Sequence, residues 1–255
     1  MFRMRGLTSI LLLGLSLAFA EGGSGPATES APLRVGVTAS FPPMIYKEGG
    51  QLVGVEADLA KALGEELGRP VKLVEVNWED QFTALTEGRT DIIMSGVSIT
   101  RARQLRVAFA KPYLAAGQTV LVRREDANQY LLGFPSLPKG TIGVLKATTG
   151  DFLVQQDFAR SKRKEFKSPE EAAKALAKKK IDLFICDVPI IWWLAGMNEA
   201  EGLVALKILL SEEQLAWAVR KSDPELLESV NRALEKLQKE GRTAAIVRRW
   251  IPLYK

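Results

Sequence analysis

A helix that runs into a short apolar strand and then a polar loop occurs twice in this chain with one spacing. Ala84-Leu85 stand seven and six residues ahead of Asp91, which opens the strand IIMS. Ala175-Leu176 stand seven and six residues ahead of Asp182, which opens LFIC. Around both copies, short apolar runs alternate with helical periodicity. Leu33 to Val37 alternates as a strand, and Met44-Ile45-Tyr46 and Leu52-Val53-Gly54 flank KEGGQ as a hairpin. Leu59, Ala60, Leu63 and Leu67 recur at helical spacing over 56–67, and Gly68 stops that helix. Residues 71–76 read as a strand and 80–87 as a short helix. In the second half, 141–144 is a strand and 150–158, 169–178 and 188–194 are helices. A strand at 215–219 and helices at 224–240 and 242–250 close the chain. The pattern predicts α/β architecture in two similar lobes, each with a mainly parallel sheet.

Composition narrows the chemistry. The chain has no His and a single Cys, Cys186, among 255 residues. That removes the usual imidazole acid–base group, an internal disulfide, a thiolate zinc cluster and an iron–sulfur centre. There is no GxxxxGK[ST] and no GxGxxG. No cofactor, nucleotide or metal is expected.

The first residues read as an address. Arg3 and Arg5 precede the apolar run Ile10 to Leu17, and Ala18-Phe19-Ala20 is a small-x-small cleavage site, so 1–20 is expected to be a secretory signal peptide. Glu21, not Cys, would follow the cut, so no lipid anchor is expected. Residues 21–32 (EGGSGPATESAP) read as a flexible leader. Loss of Arg3 and Arg5 lowers the formal charge from +5 to +3. The remaining excess sits in RSKRK at 160–164 and Lys178-Lys179-Lys180. Neither run interleaves aromatics as a nucleic-acid footprint would, so both read as solvated lysines on helix faces.

The loops after the two echoed strands carry the groups able to hold a small zwitterion. SGVSITRAR at 95–103 offers the hydroxyls of Ser95, Ser98 and Thr100, close backbone approach at Gly96, and the fork of Arg103 for a carboxylate. Asp187 follows Phe184-Ile185-Cys186 and suits an ammonium. Open α/β sheets bind ligands beyond the carboxyl ends of their strands, where these groups belong. Two plainer roles stay open: a surface salt bridge for Arg103, and a helix N-cap ahead of Val188-Pro189 for Asp187.

These residues resemble a known family. LRVGVTASFPPMIY, GVEADLAKALGEELG, NWEDQFTALTEGRTDIIMSGVSITRARQLRVAFAKPYL, GVLKATTGD and IDLFICDVP stand in order along 33–255. The blocks are similar to the periplasmic polar amino-acid-binding proteins of ABC importers, the bacterial extracellular solute-binding proteins of family 3. The resemblance implies a type II periplasmic binding protein, two α/β lobes joined by a two-strand hinge with the ligand cleft between them. It implies lobe 1 at 33–118 and 216–255, lobe 2 at 119–215, and crossings near 113–123 and before Leu215. By the same resemblance Arg103 clamps the ligand α-carboxylate, aided by the N–H of Ser98 and the loop Thr149-Gly150. Asp187, the Gly96 carbonyl and the Ser98 hydroxyl meet the ammonium. Phe41 and Trp78 sandwich the side chain, with core packing as their plainer role. Trp192-Trp193 could pack a lobe or line the cleft.

The implied protein is a soluble periplasmic monomer that hands a free amino acid to a membrane permease. For the ligand, Thr38 stands where several relatives carry Asp, and Lys146 ahead of the Thr148-Thr149-Gly150 loop would attract an amide or acid. Glu75, Glu79 and Asp80 near Trp78 pull the other way. Glutamine or glutamate is therefore placed slightly ahead of arginine. A cyclohexadienyl-dehydratase-like enzyme on the same fold and a ligand-sensing domain are the alternatives.

Overall fold

The computed structural model describes residues 31–130 and 140–254. The export signal at 1–20 and most of the leader, 21–30, lie outside the described residues. The first unit begins with β1 (Leu33–Val37), a three-strand hairpin sheet of β2 (Ser40–Phe41), β3 (Ile45–Glu48) and β4 (Gln51–Val53), and α1 (Val55–Leu67). It continues through β5 (Val71–Glu75), a 3₁₀ turn at Trp78–Asp80, α2 (Gln81–Thr86), β6 (Ile92–Ile93), α3 (Arg101–Arg106) and β7 (Ala108–Phe109). The chain crosses over through β8 (Leu114–Ala116) into β9 (Gln118–Arg123). The second unit holds β10 (Thr141–Leu145), α4 (Thr149–Asp157), β11 (Lys162–Phe166), α5 (Pro169–Ala177), β12 (Leu183–Asp187), α6 (Val188–Met197) and β13 (Leu203–Ala205). It returns through β14 (Glu213–Leu215) to β15 (Ala218–Val219), α7 (Pro224–Lys239) and α8 (Arg242–Trp250).

Two five-stranded sheets result, ordered β5-β1-β6-β15-β7 and β11-β10-β12-β9-β13. In each, the first strand pairs in parallel with its two neighbours, and a crossing strand, β15 or β9, then enters antiparallel in fourth place. The sheets are mixed rather than mainly parallel. Local βαβ repetition reveals only the parallel pairs, because the antiparallel strand arrives from the other side of the hinge. The hinge is the antiparallel pair β8–β14. The run 215–219 is accordingly not one strand: Leu215 ends the hinge strand and Ala218 opens the pairing in the first sheet.

The repeated aspartates do the same structural work. An Asp91 carboxylate oxygen accepts from the N–H of Arg34 at 3.0 Å, and an Asp182 oxygen from the N–H of Thr141 at 2.6 Å, so each ties its third strand back to the first. Asp91 also receives the guanidinium groups of Arg34 and Arg220. Burial opposes its charge, but these arginine bonds outweigh it and bring its pKa down to about 2.

The first unit's core joins α1 and β1 to Trp217, Val230, Leu234 and Val247 from the returning chain. Thus α7 and α8 close the first unit, with Lys236 and Arg242 paired to Glu66. Helix α5 starts where Ser168 caps the N–H of Glu171 and Glu171 reaches back to that of Lys167, with Pro169 in the first turn. The basic run at 160–164 lies largely on β11, not a helix. Lys162, Arg163 and Lys164 alternate along an exposed sheet edge, where charge discourages pairing with another chain. None of the described helices is long and apolar enough to cross a membrane.

Candidate functional site

The groove between the two sheets narrows to a small pocket of about 20 Å³. Its walls include Phe41, Trp78, Ser95, Gly96, Ser98, Arg103, Thr149 and Asp187, so eight of the nine residues singled out from sequence meet there. Gly150 is not among the lining residues. It sits where a Cβ would lie 2.5 Å from Oε1 of Gln118, so its role in the structure is close packing behind the loop.

Lobe 1 supplies the cation. Thr100 caps α3 by accepting from the N–H of Arg103, which sets Arg103 in the first turn. Its side chain folds back so that Nη1 donates to the Ser98 carbonyl at 2.9 Å, and the guanidinium lies 5.4 Å from the Trp78 ring centroid. Arg103 is only 9% exposed, and among the described residues no carboxylate forms an ion pair with it. Burial lowers its pKa, and the more distant Asp187 and Glu213 oppose that fall. A surface salt bridge is therefore not its role. The loop beside it is stitched to the hinge: Ile99 donates to the Gln214 carbonyl, Ala216 to that of Val97, and Ser98 bridges Leu215. Gly96 takes a φ of 65°, a turn open to glycine, and its N–H donates to Glu56.

Lobe 2 supplies the carboxylate. Asp187 occupies the N-cap position of α6 but makes no side-chain cap bond; instead Oδ1 accepts from Nε2 of Gln118 at 3.0 Å. The N-cap reading fails because the side chain turns into the pocket. Burial, reinforced by Glu213, raises the Asp187 pKa to about 7 against the bond from Gln118 and the charge of Arg103. On the same lobe Thr148 caps α4, which leaves Thr149 and Gly150 in the first helical turn, where backbone N–H groups lack intrahelical acceptors. Among the described residues no cluster of His, Cys, Asp and Glu is arranged to hold a metal ion.

Phe41 and Trp78 meet edge to face at 5.2 Å and do double duty. Phe41 packs into the second unit's core cluster, and the Trp78 Nε1–H donates to the Ala147 carbonyl at 3.1 Å, across the cleft. Beside this bond Glu79 and Lys146 pair at 2.7 Å, again one from each lobe. Thr38, Glu79 and Lys146 line a separate groove on the outer side of the aromatic pair. Glu75 pairs with Lys47 and Asp80 with Arg89. The charges that sequence set against one another for ligand choice are thus committed to partners outside the pocket. Trp192 and Trp193 do not line it: Trp192 packs against the first core and Trp193 lies 6.2 Å from Tyr46.

Three polar residues escaped the sequence reading. Glu56 is fully buried and accepts from Gly96, from the Tyr113 hydroxyl at 2.6 Å and from the Trp217 indole at 3.1 Å. Burial lifts its pKa to about 7 despite those bonds. A signal existed, since Glu56 shares a face with Leu59, Ala60 and Leu63 at positions three, four and seven on. Gln118 and Glu213 carry no such local sign. Their partners lie far away in sequence.

With an arginine and an aspartate from opposite lobes facing one pocket, the comparison with known proteins becomes informative. Residues 33–252 match the bacterial extracellular solute-binding proteins, family 3. The chain belongs to that family. It is 25% identical to the arginine-binding extracellular protein ArtP of Bacillus subtilis (strain 168) over 94% of this chain and 96% of the relative. Among solved structures, the ancestral amino acid-binding protein AncCDT-1, a precursor of cyclohexadienyl dehydratase, superposes with a TM-score of 0.81 at 33% identity, over 87% of this chain and 96% of that one. An ancestral arginine-binding protein bound to glutamine gives 0.77 at 32% identity, over 86% and 97%. The fold is the type II periplasmic binding fold of such proteins, two sheet-containing lobes about a two-strand hinge.

Proposed function

We propose that this chain is the exported substrate-binding component of an ABC importer, capturing one free polar amino acid between its lobes and presenting it to a membrane permease. One observation carries the reading: Arg103 and Asp187 come from opposite lobes, face one pocket, and have no ion-pair partner among the described residues. A zwitterion answers both charges at once. Arg103, the Ser98 N–H and the α4 N-terminus at Thr149-Gly150 take its carboxylate. Asp187, with the Gly96 carbonyl and the Ser98 hydroxyl, takes its ammonium, and Phe41 and Trp78 wall its side chain. Charge-assisted hydrogen bonds contribute about 1.5–3 kcal/mol each. Three or four of them, less the cost of capture, reach about micromolar binding. Because the groups are split between 33–118 with 216–255 and 119–215, both ends are satisfied only when the cleft closes, so the ligand stabilises the closed state.

The pocket favours a neutral side chain. Beyond Arg103 and Asp187 its walls carry no charged side chain, only hydroxyls such as Thr148 and apolar groups such as Met44, Leu145, Pro189, Ile190 and Leu215, and Lys146 is paired in the outer groove. Glutamine is placed ahead of arginine and glutamate. Residues 1–20 direct export, cleavage follows Ala20, and the mature chain acts in the periplasm as a monomer.

A thermal-shift screen of the amino acids on refolded, ligand-free protein tests this. A dominant shift with glutamine is expected; a larger shift with arginine or lysine overturns the ligand order, and no shift with any amino acid overturns the function. Likeness to a dehydratase precursor and an acid with a pKa of about 7 in the pocket favour one second reading, catalysis. Incubation with prephenate or arogenate is expected to give no product, and turnover of either would replace the binding reading.

A further inference from the structure

We infer that Glu213, on hinge strand β14, is a positioning residue for ammonium capture: it orients the Thr149 hydroxyl and, through it, the Gln118 amide that holds Asp187, and it sets a second negative charge behind the same site. The inference rests on the binding reading above. The Thr149 hydroxyl has one proton and donates it to Oε2 of Glu213 at 2.9 Å. Its oxygen must then accept, and it does so from Nε2 of Gln118 at 3.0 Å. The same amide nitrogen donates to Asp187. A carboxylate only accepts, so Glu213 takes the Thr149 proton and turns that hydroxyl's lone pair to Nε2 of the Gln118 amide, which can only donate. The other Glu213 oxygen accepts from the Ser211 hydroxyl at 2.7 Å, and the Ser211 oxygen accepts from the Gln118 N–H at 3.0 Å.

The location gives this relay its meaning. Gln118 lies just past β8 and Glu213 lies on β14, so both hinge strands adjoin the network that holds Asp187. The groups facing Asp187 are few. Arg103 of α3 attracts it, Glu213 of β14 repels it, β9 offers the neutral Gln118, β12 itself offers the Cys186 thiol, and Tyr113 ahead of β8 lies within electrostatic reach. One guanidinium against two carboxylates leaves the ligand-free site one positive charge short, which favours a proton on Asp187; a zwitterion, neutral overall, brings its ammonium to Asp187 in that proton's place. The pKa of Asp187 near 7 agrees with this, with burial the larger cause and Glu213 the next.

The test is calorimetry on the full mature chain with L-glutamine, and in parallel L-arginine, from about pH 5 to about pH 9. In the wild type, affinity is expected to fall about tenfold per pH unit below an inflection near 7, as Asp187 takes up the proton that the ammonium must displace. Glu213→Gln is expected to weaken binding about tenfold above the inflection and to move the inflection down by about one pH unit. Thr149→Val, which breaks the relay but keeps the Glu213 charge, should weaken binding and leave the inflection in place. Asp187→Asn should abolish the inflection. A Glu213→Gln protein with wild-type affinity and inflection overturns the role of Glu213 while leaving the binding reading intact. If Glu213→Gln does not fold, a Thr149→Val protein that binds within twofold of wild type overturns it instead. A wild type that binds neither of these nor any other amino acid of the thermal-shift screen overturns the reading beneath it.

Discussion

The third strand of each sheet, β6 in lobe 1 and β12 in lobe 2, has the same neighbours and the same aspartate tying it to the first strand, yet the two lead to opposite charges. After β6 the chain makes the Ser95-Gly96 turn and enters α3 with Arg103; at the end of β12 stands Asp187, with α6 directly behind it. One topological position, used twice, serves as a cation site and an anion site. The supports differ too. The loop bearing Arg103 is held by backbone bonds to the hinge and by Glu56, whereas Asp187 is held by one neutral amide that itself answers to Glu213. Lobe 1 ties its half of the site to the hinge, and lobe 2 puts a titratable group into the pocket itself.

Breaking the cation side should do most. Arg103→Ala is expected to weaken amino-acid binding by a few hundred-fold, about 3 kcal/mol, measured by calorimetry. Arg103→Lys should recover little, because an ammonium cannot fork onto a carboxylate. Asp187→Asn should cost less, about 10- to 100-fold above pH 7, and should raise the melting temperature of the ligand-free protein at about pH 8, where a charge that burial and Glu213 both oppose is removed. An equal loss for both variants would erase the asymmetry.

Glu56 and Asp187 both reach a pKa of about 7 in the fold, against ordinary values of 4.5 and 3.8. Between roughly pH 4 and 7 the folded chain therefore holds protons that the unfolded chain has released, so stability falls as pH rises through that window. Asp91 runs the other way. Its depressed pKa contributes stability above its ordinary value that is lost as pH falls towards about 2. Urea unfolding of ligand-free protein should therefore show greater stability at about pH 5 than at about pH 8, with Glu56 contributing about 3 kcal/mol at most. Glu56→Gln should flatten that slope. The smallest effect belongs to the bridge between the lobes: Glu79→Ala should weaken ligand binding about twofold, a difference that disappears in high salt, because both partners are more than half exposed.

The spacing of Leu59, Ala60, Leu63 and Leu67, the turn residues between 45 and 53, and the paired echo before Asp91 and Asp182 were enough to read two α/β units, since each is a local periodicity. The loops after the echoed strands led to Ser95, Gly96, Ser98, Arg103 and Asp187 by local pattern, whereas Phe41, Trp78 and Thr149 followed only from the resemblance to the family. What stayed hidden is long-range. The antiparallel entry of β9 and β15, the split of 215–219 between hinge and sheet, and the edge strand in a lysine run depend on partners elsewhere in the chain. So do the state of Asp187, set by Gln118 and Glu213, and the pairing of Lys146 with Glu79, which removed its charge from the question of ligand choice. Local pattern was enough to name most of the groups the site has to offer. Which of them face one another is settled by the fold, because hydrogen bonds and charges act through distance in space, and the hinge brings together residues that the chain keeps apart.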